Sequence, residues 1–146
     1  MKAESEEYLR GLGMGDVLLG RVTEIERSVG SLCPEELKYV FVAEYVEEGG
    51  MRQYENLFFF SANYAIQATN FASQSEFDID WLGKSIVNLK LESKEPDLEE
   101  ATDKSRLSVR YVTEANCHAS LRASGNNCAH LLAIVRSCLV PNFVGG

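Results

Sequence analysis

Polar and apolar residues alternate along most of this chain, the period required of a β-strand with one buried face. From Asp16 to Arg27 the run DVLLGRVTEIER spaces Val17, Leu19, Val22 and Ile25 around a Gly20 suited to a bulge, which predicts a first strand. Turn chemistry follows at Gly30 and Pro34. The next run, LKYVFVAEYVEE, is dense in Val, Tyr and Phe without a helical face and predicts a second strand, closed into a hairpin at Glu48-Gly49-Gly50. The return run YENLFFF sets Tyr54, Phe58 and Phe60 on one face and Leu57 and Phe59 on the other, as in a strand central to a sheet. Shorter alternations follow at Tyr64, Ile66 and Ala68, at Phe77, Ile79 and Trp81, and at Val87, Leu89 and Leu91. RLSVRYV directs Leu107, Val109 and Tyr111 inward, and after a turn at Glu114 to Asn116 CHASLRA does the same with Cys117, Ala119 and Leu121.

At Cys128 the period changes. Cys128, Leu131, Leu132, Val135, Cys138 and Leu139 form one stripe of a 3.6-residue helix, with a stop and N-cap in Ser124-Gly125-Asn126-Asn127 and Pro141 as its end. Upstream, Ala3 to Leu12 supports only a short helix, with Tyr8, Leu9 and Leu12 apolar, before Gly11, Gly13 and Gly15 break it. Residues 1–15 are therefore expected to be an extension and 16–146 a single domain. The expected fold class is α+β, a bent antiparallel sheet or partly open barrel of seven to eight strands capped by one C-terminal amphipathic helix. Over roughly residues 16–140 that element order, with the single Trp81 and the closing helix, resembles the pleckstrin-homology-like superfold. The resemblance implies a protein-interaction module that uses a sheet edge or the groove beside the last helix. A phosphoinositide site of that family would need a basic cluster in the first hairpin, where this chain has Arg21 and Arg27 beside Glu24 and Glu26.

Composition narrows the partners. The 146 residues hold 45% hydrophobic and 25% charged side chains, ordinary for one globular domain with an adequate core. Fourteen Lys and Arg against 22 Asp and Glu give a net charge of −8, and no basic cluster appears along the chain, which argues against nucleic acid and against membrane lipid. Six acids and one lysine crowd residues 92–103, a solvated loop whose Glu95, Asp97, Glu99 and Glu100 would dock a basic partner. MKAESEEYLR lacks the apolar segment of a secretory signal, so the expectation is a soluble, intracellular protein, cytoplasmic or nuclear, with Cys33, Cys117, Cys128 and Cys138 reduced.

Chemistry-bearing constellations are sparse. Cys117-His118 and Cys128-Ala129-His130 supply zinc-type ligands, but at the wrong spacing for common fingers, and adjacent strand residues point to opposite faces. A thiol nucleophile would be Cys128 with His118 or His130 as base, yet Cys128 lies in the apolar stripe. Asp78 and Asp80 share a strand face as a solubilising pair. GLGMG at 11–15 has no preceding strand and no following Lys-Ser/Thr, so it fails as a phosphate loop. GDVLLGRVTEIE resembles the first strand of an OB-type barrel, although the aromatics at 54–60 have only Arg52 nearby for a nucleic-acid backbone.

The reading is a non-enzymatic adaptor or subunit of an intracellular complex, without cofactor or metal. Its partner is a protein, basic or supplying an extended strand or a helix, met at an exposed strand edge or at a groove near Leu139, Val140 and Phe143. The alternative is a small-ligand or lipid-binding barrel lined by Phe58, Phe60, Tyr64 and Trp81, and a third reading is the Cys/His enzyme or zinc site.

Overall fold

A computed structural model describes residues 1–43, 46–48, 51–53, 56–69, 78–82, 85–93, 106–125 and 127–144. Two helices lead, α1 (Ala3–Gly11) and α2 (Asp16–Leu32). Nine strands follow: β1 (Tyr39–Val42), β2 (Val46–Glu48), β3 (Met51–Gln53), β4 (Asn56–Phe60), β5 (Ala65–Thr69), β6 (Asp78–Leu82), β7 (Ile86–Ser93), β8 (Arg106–Thr113) and β9 (His118–Ser124). The chain closes with α3 (Asn127–Ile134), which widens into a π-type turn at Val135–Leu139 and ends in a 3₁₀ turn at Val140–Asn142. The fold is α+β, with a four-stranded antiparallel sheet in the order β1-β4-β5-β6, a three-stranded one in the order β7-β8-β9, and the short β2-β3 hairpin. The sheets do not close into a barrel.

The expected first strand is a helix. Read at 100° per residue, Leu18, Val22, Ile25 and Val29 share one face with Leu19 beside it, and Leu19, Val22, Ile25 and Val29 are buried. Val17, which the alternating reading turned inward, is 91% exposed. A short run such as Val17, Leu19 and Val22 satisfies both periods. The stripe continuing to Val29 and the helix-favouring Glu and Arg residues between its members decide for the helix, despite the cost of Gly20.

Each face of β4 meets a different layer. Its Leu57 and Phe59 join Val40, Val42, Ile66 and Ala68 against α1 and α2, where Leu9, Met14, Val22 and Ile25 complete one core. On the other face Phe58 and Phe60 join Phe41, Ala65 and Leu82, and a second core forms with Leu107, Val109, Tyr111 and Leu121 of the second sheet. The stripe of the last helix fills it: Cys128, Leu131, Leu132, Val135, Cys138 and Leu139 are all buried there, as their spacing predicts. Asn142 anchors the end of that helix by donating from Nδ2 to the carbonyls of Cys138 at 2.6 Å and Ala62 at 2.7 Å.

β1 is the outermost strand of its sheet, so the backbone groups of Val40 and Val42 turn away from β4. Side chains take them. Val42 N–H donates to the Tyr8 hydroxyl at 3.1 Å, that hydroxyl donates to Asn127 Oδ1 at 2.7 Å, and Asn127 Nδ2 donates to the Val42 carbonyl at 3.2 Å. His130 Nε2–H donates to the Val40 carbonyl at 2.7 Å, and its ring stacks on Tyr8 with centroids 3.6 Å apart. The edge is thus closed by α1 and α3 together. Burial drives the Tyr8 phenol far above its ordinary range, so it serves as a neutral hydroxyl.

Tyr8→Phe keeps the ring stack and removes the hydroxyl, leaving Val42 N–H and Asn127 Oδ1 without their partner. The variant is expected to lose about 1–3 kcal/mol of unfolding free energy in urea titration. Stability equal to wild type would show that the closed edge contributes nothing.

Candidate interaction surfaces

The groove expected at Leu139, Val140 and Phe143 is built differently from its sequence reading. Leu139 is 2% exposed and belongs to the core, so it is not available to a partner. Val140 and Phe143 are exposed. Beyond Asn142 the chain runs extended beside β7: Phe143 forms a parallel bridge with Ile86, and Val144 N–H donates to the Ile86 carbonyl at 2.8 Å. An open depression of about 450 Å³ adjoins this seam, lined in part by Glu35, Asn63, Tyr64 and Asn142. Glu35 is held there by the Ser61 hydroxyl at 2.5 Å and by Asn63, which lower its pKa in that order. Of the acidic stretch, Glu95, Asp97, Glu99 and Glu100 lie outside the described residues.

The four aromatic residues expected to line a ligand cavity do not converge. Phe58 and Phe60 are buried on the inner face of β4, with ring centroids 6.1 Å apart. Trp81 pairs in register with Ile66 on the face that the leading helices cover, and is 39% exposed while Tyr64 meets it edge-on at 5.8 Å. The void beside Phe60 and Tyr64 measures about 10 Å³, the size of a single water probe. Tyr111 also lines it, with a buried hydroxyl that has no hydrogen-bond partner among the described residues.

The cysteines pack in or against the two cores, and one of the two histidines closes an edge. Cys117 packs against the second core while His118 is exposed, the opposite orientations that strand alternation requires. Cys128 and Cys138 are buried, and burial pushes the Cys138 thiol up to about 11. His130 is engaged with Val40. Among the described residues no three His, Cys, Asp or Glu side chains group as metal ligands. Asp78 and Asp80 stand on β6 opposite Thr69 and Gln67. No described helix is long and apolar enough to cross a membrane.

One charged surface escaped the sequence reading. The alternation that turns Leu107, Val109 and Tyr111 inward turns Arg106, Ser108 and Arg110 outward, and on β9 it does the same for His118, Ser120, Arg122 and Ser124. Register assembles them: Lys90 faces Arg110, which faces Ser120, and Glu92 faces Ser108, which faces Arg122. Directly opposite side chains lie about 5 Å apart at Cβ and diagonal ones about 7–8 Å, so Arg122 is a diagonal neighbour of both Arg106 and Arg110. Among the described residues four cations thus share this face with one carboxylate, Glu92, which pairs with Lys90 at 3.1 Å and is held below its usual pKa by it. Among the described residues Arg110 and Arg122 form no salt bridge. A search for clusters along the chain misses such a face, whereas cross-strand register applied to RLSVRYV and CHASLRA finds it.

No family model, curated protein or solved structure matches the chain.

His130 makes the closed edge sensitive to pH. Burial lowers its pKa below the ordinary imidazole value, partly opposed by the bond to Val40, so near neutrality the folded ring is uncharged. The unfolded ring takes up its proton at a higher pH than the folded one. Stability is therefore fully present above the unfolded value and is lost as pH falls through the folded value. The urea midpoint is expected to drop between about pH 7.5 and pH 5.5, and H130Q, which keeps a donor for Val40, is expected to flatten that drop. An equal drop in H130Q would assign the effect to other groups.

Proposed function

We propose that this protein is a non-enzymatic interaction module that holds a protein partner on the outer face of β7-β8-β9. The observation that carries the reading is the charge of that face in a chain of net charge −8: Lys90, Arg106, Arg110 and Arg122 project from three adjacent strands, with one carboxylate among them in the described residues. Lys90 and Arg110 stand directly opposite each other, a like-charge pairing that disfavours the sheet. Breaks of a local rule concentrate at functional or strained sites. Buried polar groups elsewhere, Tyr8, Asn127 and His130, are spent on closing β1. The pleckstrin-homology-like resemblance fits the same role and is supported by the antiparallel strands and the closing helix, while its expected first strand is α2.

The double variant R110E/R122E changes two exposed side chains with no salt bridge to lose, so its urea midpoint is expected to match wild type. In affinity purification from the native source it is expected to lose the partners that wild-type protein retains, and those wild-type complexes should weaken as salt rises. Retention of every partner by the folded variant would remove this face from the account.

A further inference from the structure

The outer face ends at a strand edge whose backbone is available. Thr113 N–H donates to the Cys117 carbonyl at 3.0 Å, which fixes the hydrogen-bonding phase of the β8-β9 pair. By alternation Ala119, Leu121 and Ala123 direct their backbone groups to β8, whereas His118, Ser120 and Arg122 direct theirs away from it. Among the described residues nothing hydrogen-bonds to that outward side. Two other edges differ. β1 is closed at both backbone groups of Val42 and at the Val40 carbonyl by three side chains, and β7 is met at Ile86 by Phe143 and Val144. On β9 the residues with free backbone groups are the same ones whose side chains stand on the cationic face.

Resting on the reading of this face as the contact surface, we propose that the partner supplies an extended acidic segment that adds to β9 as an antiparallel strand. Opposite residues of an antiparallel pair share a face, so the residues of the added strand set against His118, Ser120 and Arg122 would project over the outer side. Carboxylates there lie beside Arg122 and diagonally within reach of the cations of β8. The intervening residues continue the line of Ala119, Leu121 and Ala123, which is buried and apolar, so they are apolar too. Main-chain bonds supply affinity and the alternating side chains supply selectivity. The cationic area spans three strands and a few residues along each, about 10 by 13 Å. That suits two or three carboxylates on a short segment and is too small for an extended phosphate array, which the net charge of −8 would further repel.

Antiparallel pairing makes a sharp prediction about the backbone. The acidic residues of the added strand are the ones whose N–H groups point at β9. The probe is a fluorescein-labelled decapeptide of alternating Glu and Val, titrated with full-length protein at low salt and followed by anisotropy. Binding is expected to weaken about tenfold or more when the Glu amides are N-methylated, to survive N-methylation of the Val amides, and to fail for the Lys-Val counterpart. R110E/R122E is expected to reduce it by a similar factor. Equal binding of all N-methylated peptides, or tighter binding of a single-stranded oligonucleotide than of the Glu-Val peptide, would overturn strand addition. So would absence of peptide binding to wild type. In that case loss of native partners from R110E/R122E would leave the contact surface standing, and their retention would remove both.

Discussion

A strand at the margin of a sheet must place its outward N–H and C=O groups somewhere, and in this protein the margin at β1 lies within the molecule. Tyr8 and Asn127 form a closed ring of hydrogen bonds with both backbone groups of Val42, and His130 takes the carbonyl of Val40. The three side chains come from opposite ends of the chain. They fasten α1 and α3 to one strand, and each of the two cores is bounded by one of those helices. A network satisfied in full costs little and fixes geometry, whereas one missing hydroxyl strands a donor and an acceptor in a buried site.

With that edge closed, the remaining polarity is arranged outward. The two apolar faces of β4 are covered by different layers, so the first sheet has no broad surface to offer. The second sheet has one face in the core and one in water. Its wet face groups Lys90, Arg106, Arg110 and Arg122, with Arg110 across from Lys90. The charge of the chain as a whole says nothing of this, because a net sum carries no information about which side chains register brings together.

Much of the fold was legible from periodicity. Strand alternation placed Leu107, Val109, Tyr111, Ala119 and Leu121 in the core, and the change to a 3.6-residue period at Cys128 identified the closing helix and its buried stripe. The error at α2 came from a run too short to separate the two periods, and only the stripe reaching Val29 resolves it. Leu139 showed the limit of stripe reasoning from the opposite side: its position in the stripe predicted burial, and that excluded it from a partner groove. Partners across the sheet were out of reach because register is a tertiary fact. Tyr8 in a short leading helix gives no sign that it bonds Val42, and Arg110 and Arg122 become neighbours only once β8 and β9 pair.

The edge at β1 is closed within the molecule, whereas among the described residues nothing bonds the outward side of β9. Residue-resolved amide hydrogen exchange on the free protein tests it directly, since exchange reports which backbone N–H groups are held. The Val42 amide, bonded to Tyr8, is expected to be protected like the interior strand β4, while the outward amides of Ser120 and Arg122 exchange much faster than those of Leu121 and Ala123. Rapid exchange at Val42 together with protection at Ser120 and Arg122 would contradict it.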